Sequence, residues 1–100
     1  MTPKVLSLLR RTALSLNFAI KHKHPRAKRQ RLEIQLQTLL REALAGTKFN
    51  HLAVNIFEKY VLDDGEFLYS DLDRDLRAWD LRGSPPHRLT GKILEDDLGL

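Results

Sequence analysis

Apolar residues recur along the first twenty positions at steps of three and four: Leu6, Leu9, Ala13, Leu16 and Ile20. That spacing puts one stripe on one helical face, and Val5, Leu8, Thr12 and Ala19 widen it. The pattern predicts a helix from Pro3 to about Lys21, with Thr2 as N-cap and Pro3 at the first helical position. Lys4, Arg10, Arg11, Ser15 and Lys21 fall on the opposite arc. Leu14 and Phe18 fall among those charges and predict packing against a third helix or a second copy of the chain. Leu32, Leu36, Leu39, Leu40 and Ala43 form a second stripe, with Leu44 at its edge and Ile34 outside it. They predict a helix from about Arg26 to Ala45, opened by Pro25 and closed by Gly46. Two amphipathic helices with a short link read as an antiparallel hairpin.

The pattern after Gly46 is less regular. Ala53, Ile56, Phe57, Tyr60 and Val61 fit a helical face capped by Asn50, but the β-branched and aromatic content also permits a strand turning at Asp63-Asp64-Gly65. We take a helix ending near Leu62, then the turn, then a short extended segment over Glu66–Tyr69. A fourth helix starts at Ser70 as N-cap, carries Asp71 and Asp73 in its first turn and buries Leu72, Leu76 and Trp79. Gly83-Ser84-Pro85-Pro86 breaks it, and a last helix is expected from about Pro86 to Leu98. The expected fold is all-α: an N-terminal antiparallel helical hairpin packed with about three shorter C-terminal helices. Residues 1–46 form the basic hairpin and 47–100 an acidic helical part of one domain. Leu6, Leu9, Leu16, Leu36, Leu39, Phe57, Leu76 and Trp79 are the expected core.

Composition changes the picture in two ways. The chain has 100 residues, is 42% hydrophobic and contains no Cys. One modest core is affordable, without disulfides or thiolate metal sites, and the lack of Cys fits an intracellular, cytoplasmic protein. The net charge of +4 hides a division. Residues 1–50 hold eleven Lys or Arg and only Glu33 and Glu42 as acids, whereas residues 51–100 hold six basic and eleven acidic residues. Such asymmetry points to a polyanion, or to pairing between the halves within or between chains. The acid-free first 32 residues have the composition of a mitochondrial presequence. Arg10 and Arg11 interrupt Val5–Ile20 and argue against a secretory signal. No apolar run reaches the length of a membrane span.

The densest charge is Lys21–Arg31, KHKHPRAKRQR, where six of eleven residues are Lys or Arg. Lys21 and Lys23 suit the negative end of the first helix. Arg26, Lys28, Arg29 and Arg31 occupy the positive end of the second, where each is unfavourable by roughly 0.3–1 kcal/mol before screening. A bound anion would relieve them, because free backbone N–H groups and Arg forks would both face it. Phosphate of DNA or RNA is the first candidate. Lys23 and Arg41 would support such a site, and Arg10 and Arg11 would extend it. Base reading would fall to Arg31, Gln35, Thr38 and Arg41, with Gln30 and Gln37 beside them, though an ordinary solvent face looks the same. Stacking of bases has little support, since Phe18 is the only aromatic before Phe49.

Other motifs dissolve on inspection. Asp71-x-Asp73-x-Asp75 has the spacing that opens a calcium loop, but Leu76 stands where Gly is required and Arg82 where a bidentate Glu belongs. His22 and His24 lack the i,i+4 spacing of a helical zinc site and read as polar loop residues, with His51 and His87 remote. The carboxylates at Asp63, Asp64 and Glu66 belong to a turn. A helix-turn-helix over the C-terminal segments would have to read DNA with a helix ending in Glu95-Asp96-Asp97, so a packing or protein-contact role ranks ahead. The sequence therefore predicts a non-enzymatic nucleic-acid-binding protein of regulatory or accessory type, with no cofactor and no metal. The alternative is a homo-oligomeric, dimeric at the simplest, interaction module whose basic hairpin meets an acidic protein surface. A membrane surface is disfavoured.

Overall fold

Both periodic stripes form helices. The computed structural model describes residues 3–47, 49–62, 64–83 and 85. Helix α1 spans Pro3–Lys21 and α2 spans Arg26–Leu44. They fold back on each other as an antiparallel hairpin. Leu6, Leu9, Ala13 and Leu16 of α1 are buried against Leu36, Leu39, Leu40, Ala43 and Leu44 of α2. Leu44, placed at the edge of its stripe by spacing, is fully buried. Gly46 follows with φ +79, the left-handed conformation that a helix end favours and a side chain resists. Thr47 completes this end: its hydroxyl donates to the Leu44 carbonyl at 2.7 Å and accepts from the Phe49 N–H at 3.2 Å.

The middle segment is both helix and hairpin. A 3-10 turn over Asn50–Leu52 leads into a short helix, α3, Ala53–Glu58. No side-chain hydrogen bond caps either, so Asn50 does not play the expected role. The helix stops four residues short of Leu62 because the chain turns back at once. Val61 pairs with Phe67 across an antiparallel bridge, and the Leu62 N–H donates to the Glu66 carbonyl at 2.8 Å. Gly65, at φ +84, takes the left-handed position of the loop. The return brings Phe67 onto Phe57, ring centroids 6.1 Å apart, and both are buried.

That hairpin also sets the start of helix α4, Tyr69–Arg82. The Leu68 N–H donates to the Tyr60 carbonyl at 2.8 Å, and Leu68 becomes the N-cap without a side-chain bond. Ser70 is consequently inside the helix rather than its cap. Leu72, Leu76 and Trp79 face the core as their spacing predicts, and α4 packs on α1 while α3 packs on α2. Gly83, at φ +73, closes α4. All eight residues expected in the core are buried. The expected Thr2 cap and the helix expected from Pro86 lie outside the described residues.

Among the described residues, two buried ones are polar, Thr12 and Asp75, and only the second is ionisable. Asp75 is buried on α4, one position before Leu76. The Tyr60 hydroxyl donates to its Oδ2 at 2.6 Å, which ties the hairpin to α4. A hydrogen bond to a buried charged group contributes about 1.5–3 kcal/mol. Tyr60→Phe is therefore expected to lower unfolding free energy by about that amount in a urea titration while leaving the helical circular dichroism signal in place. A loss below about 0.5 kcal/mol would remove the bond from the account of stability.

Candidate functional site

The turn between α1 and α2 is four residues, His22–Pro25. Its geometry is a Schellman closure. The His24 N–H donates to the Ala19 carbonyl at 2.9 Å and the Lys23 N–H to the Ile20 carbonyl at 3.2 Å. Lys23 holds the left-handed position with φ +51. Glycine normally stands there, because a Cβ in this conformation costs roughly 1–2 kcal/mol. Such a closure usually brings a side-chain contact from the residue after the left-handed one to the last helical turn. Here that contact is aromatic: His24 meets Phe18 edge-on with centroids 5.7 Å apart. His22, four residues after Phe18, lies over the same ring at 4.0 Å. Three rings thus gather at the end of α1, with both histidines in the loop as their spacing predicts and His24 partly buried. The signal was present as the i,i+4 step from Phe18 to His22 and the position of His24 just past the turn.

Pro25 then opens α2 with ψ 146, and no side chain caps the helix. Its first turn contains no acid. The Lys28 and Arg29 N–H groups both donate to the Pro25 carbonyl, at 3.1 and 3.2 Å. At 100° per residue, Arg26, Lys28, Arg29 and Arg31 ring this end of α2 rather than sharing one face. Lys28 and Arg31 stand on the outer flank, toward Leu32 and Gln35. Arg29 turns to the inner side and is half-buried, and its Nε is covered without a hydrogen-bond partner. Arg26 is exposed on the side away from Lys28. Arg41 is fifteen residues on from Arg26, about 22 Å along the helix, so the fold does not bring it to the turn.

The two α1 arginines have different fates. Arg10 faces α4 and donates through Nε to Asp73 Oδ1 at 2.6 Å. That hydrogen bond, and the charge behind it, raise the Arg10 pKa above the ordinary arginine value. Asp73 also pairs with Arg77 at 3.0 Å, and Asp71 with Arg74 at 3.3 Å. The Asp71-x-Asp73-x-Asp75 series thus sends each carboxylate to a different protein partner along one helix. Among the described residues no group of acids and histidines could hold a metal ion. Arg11 is exposed and shares its helical face with Leu14, Phe18 and His22. None of Arg11, Lys21, Lys23, Arg26, Lys28, Arg29 or Arg31 forms an ion pair with a described residue.

Leu14 and Phe18 do not pack inside the chain: they are 52% and 53% exposed. They line an open groove of about 470 Å³ with Ser15 of α1, His24 of the turn and Lys28 and Leu32 of α2. A second cavity of about 230 Å³ lies between α1 and α4, among Leu6, Ser7, Arg10, Leu76, Arg77 and Asp80. It carries both signs of charge, and Arg10 and Arg77 are already engaged by Asp73. Among the described residues no helix is long and apolar enough to cross a membrane. No protein-family model, curated protein or solved structure matches this chain.

The left-handed lysine yields a direct test. Lys23→Gly is expected to raise unfolding free energy by about 0.5–1 kcal/mol, since relief of the Cβ clash exceeds the added freedom of the unfolded chain. A urea titration showing destabilisation would mean that the Lys23 side chain makes a contact worth more than the strain.

Proposed function

We propose that this chain is a small non-enzymatic nucleic-acid-binding protein whose contact surface is the α1–α2 turn and the outer flank behind it. One observation carries the reading. Asp71 and Asp73 of α4 are engaged by Arg10, Arg74 and Arg77, while the six cations in Lys21–Arg31 form no ion pair with a described carboxylate. Three of the six lie within the first four residues of an uncapped helix, where the backbone already presents positive charge. A phosphate there meets free N–H groups and cationic side chains together. Lys28 and Arg31, with Arg11 on the neighbouring helix, give the surface an extent beyond one phosphate. The same cations would suit an acidic protein surface, and the exposed Leu14 and Phe18 favour that second reading in the form of a homo-oligomer.

Replacing Arg26, Lys28, Arg29 and Arg31 together by Ser is expected to abolish binding to labelled DNA and RNA at low salt while helicity is retained. In the unmodified protein, log K should fall with log salt by roughly 0.7–0.9 per phosphate contact. Arg10→Ser should leave affinity within about twofold and cost no more than about 1 kcal/mol of stability, the scale of a partly exposed ion pair. Unchanged affinity in the fourfold variant would discard the surface. A stable self-assembly that ignores nucleic acid across the salt titration would favour the second reading.

A further inference from the structure

Resting on that reading, we infer that the groove beside the turn takes an unpaired nucleobase against Phe18, so that the ligand is single-stranded rather than duplex nucleic acid. Leu14, Phe18 and Leu32 supply an apolar surface, and Ser15, His24 and Lys28 supply its polar margin. A planar base has an apolar face and a polar edge, and each nucleotide brings a phosphate a short step from that face. Lys28 lies on the groove itself, and Arg31 follows one helical turn later on the same flank. Arg11 stands on the Leu14–Phe18 face of α1. Cations therefore border the apolar surface from both helices, with no described acid paired to them.

Two imidazole rings flank Phe18. His22 lies over its ring at 4.0 Å and His24 meets it edge-on at 5.7 Å, contacts that restrict the phenyl ring while 53% of the residue stays open. A stacking surface that is already ordered loses little entropy when a base arrives. In a duplex both faces of every internal base are covered by neighbours, so away from its ends a duplex can use the cations and leaves the groove empty. A single strand can use both. An acidic peptide would find the same cations, but it does not repeat a flat apolar ring and an anion at every unit.

The experiment is fluorescence anisotropy with three probes of equal length, about twenty nucleotides: a single-stranded pyrimidine run, the same strand with abasic sites throughout, and a duplex. Each is titrated with the unmodified protein, Phe18→Ala and Phe18→Tyr, with light scattering on every protein. The single strand should bind about 5- to 100-fold more tightly than the abasic strand, the range set by losing one base–aromatic stack. Phe18→Ala should remove that difference and leave the duplex affinity and the salt slope unchanged, and Phe18→Tyr should restore it. Equal binding of the base-bearing and abasic strands by the unmodified protein overturns the stacking inference while sparing the polyanion surface. Failure of all three probes to bind at low salt overturns both. An oligomer that Phe18→Ala dissolves, with nucleic-acid affinity unchanged, assigns the groove to a second copy of the chain and also overturns the inference.

Discussion

The four-residue turn between α1 and α2 is the constraint from which the rest of the surface follows. Two long helices packed along a leucine seam must reverse direction within His22–Pro25. A reversal that short places the C-terminal end of one helix beside the N-terminal end of the next. Their partial charges are opposite and attract each other. The side chains attached to them do not follow suit. Lys21 and Lys23 complement the end they occupy, whereas Arg26, Lys28 and Arg29 oppose theirs. Tight closure also sets the aromatic arrangement, because the Schellman bonds from Lys23 and His24 carry His24 back over the last turn of α1, onto Phe18. One backbone event thus produces the charge cluster and the ring cluster side by side.

The carboxylates of α4 show why this helix does not neutralise the turn. Helix α4 packs on α1, and its carboxylates at Asp71, Asp73 and Asp75 are each engaged by residues along or beside it. Asp73 lies between Arg10 and Arg77, and Asp75 is committed to Tyr60 inside the core. Arg10 sits eleven residues before Lys21, about 16 Å along α1, so an acid bound there is beyond a Debye length from the turn at physiological salt. Among the described residues, the opposite signs of the two halves meet at Arg10 and not at Lys21–Arg31.

How much of this was legible depended on the range of the interaction involved. The buried stripes of α1, α2 and α4 are local periodicities, and Leu9, Leu36, Leu76 and Trp79 could be placed inside from spacing alone. The span of α1 and the first residue of α2 followed from Pro3, the Lys21 end and Pro25. The middle segment resisted because two local signals were both correct. Ala53, Ile56 and Phe57 do form a helical face, and Val61 does enter a hairpin, with Phe57–Phe67 packing deciding where one gives way to the other. The burial of Asp75 has no local signal, because its hydroxyl partner is fifteen residues away and on another element. The basic cluster could be read from composition, but its division could not. That Arg10 pairs with Asp73, that Arg29 turns inward and that Arg41 lies at the far end of α2 are consequences of helix phase and long-range docking.

Phe18 is where these lines of argument meet. A lone exposed phenylalanine is ordinary, and by itself it asks for no partner. Its neighbourhood is what departs from the ordinary. It lies in one groove with Leu14 and Leu32, it touches two imidazole rings, and it borders cations that form no ion pair with a described acid. Simple solubility would favour scattering those charges over the surface, and simple packing would have turned Leu14 and Phe18 inward with Leu16 and Ala19. The helix phase rules the second out, since Phe18 lies well over 100° around α1 from Leu16. An apolar face set among cations is complementary to a ligand that carries both an apolar surface and negative charge, and the turn geometry keeps the two features within reach of one such ligand.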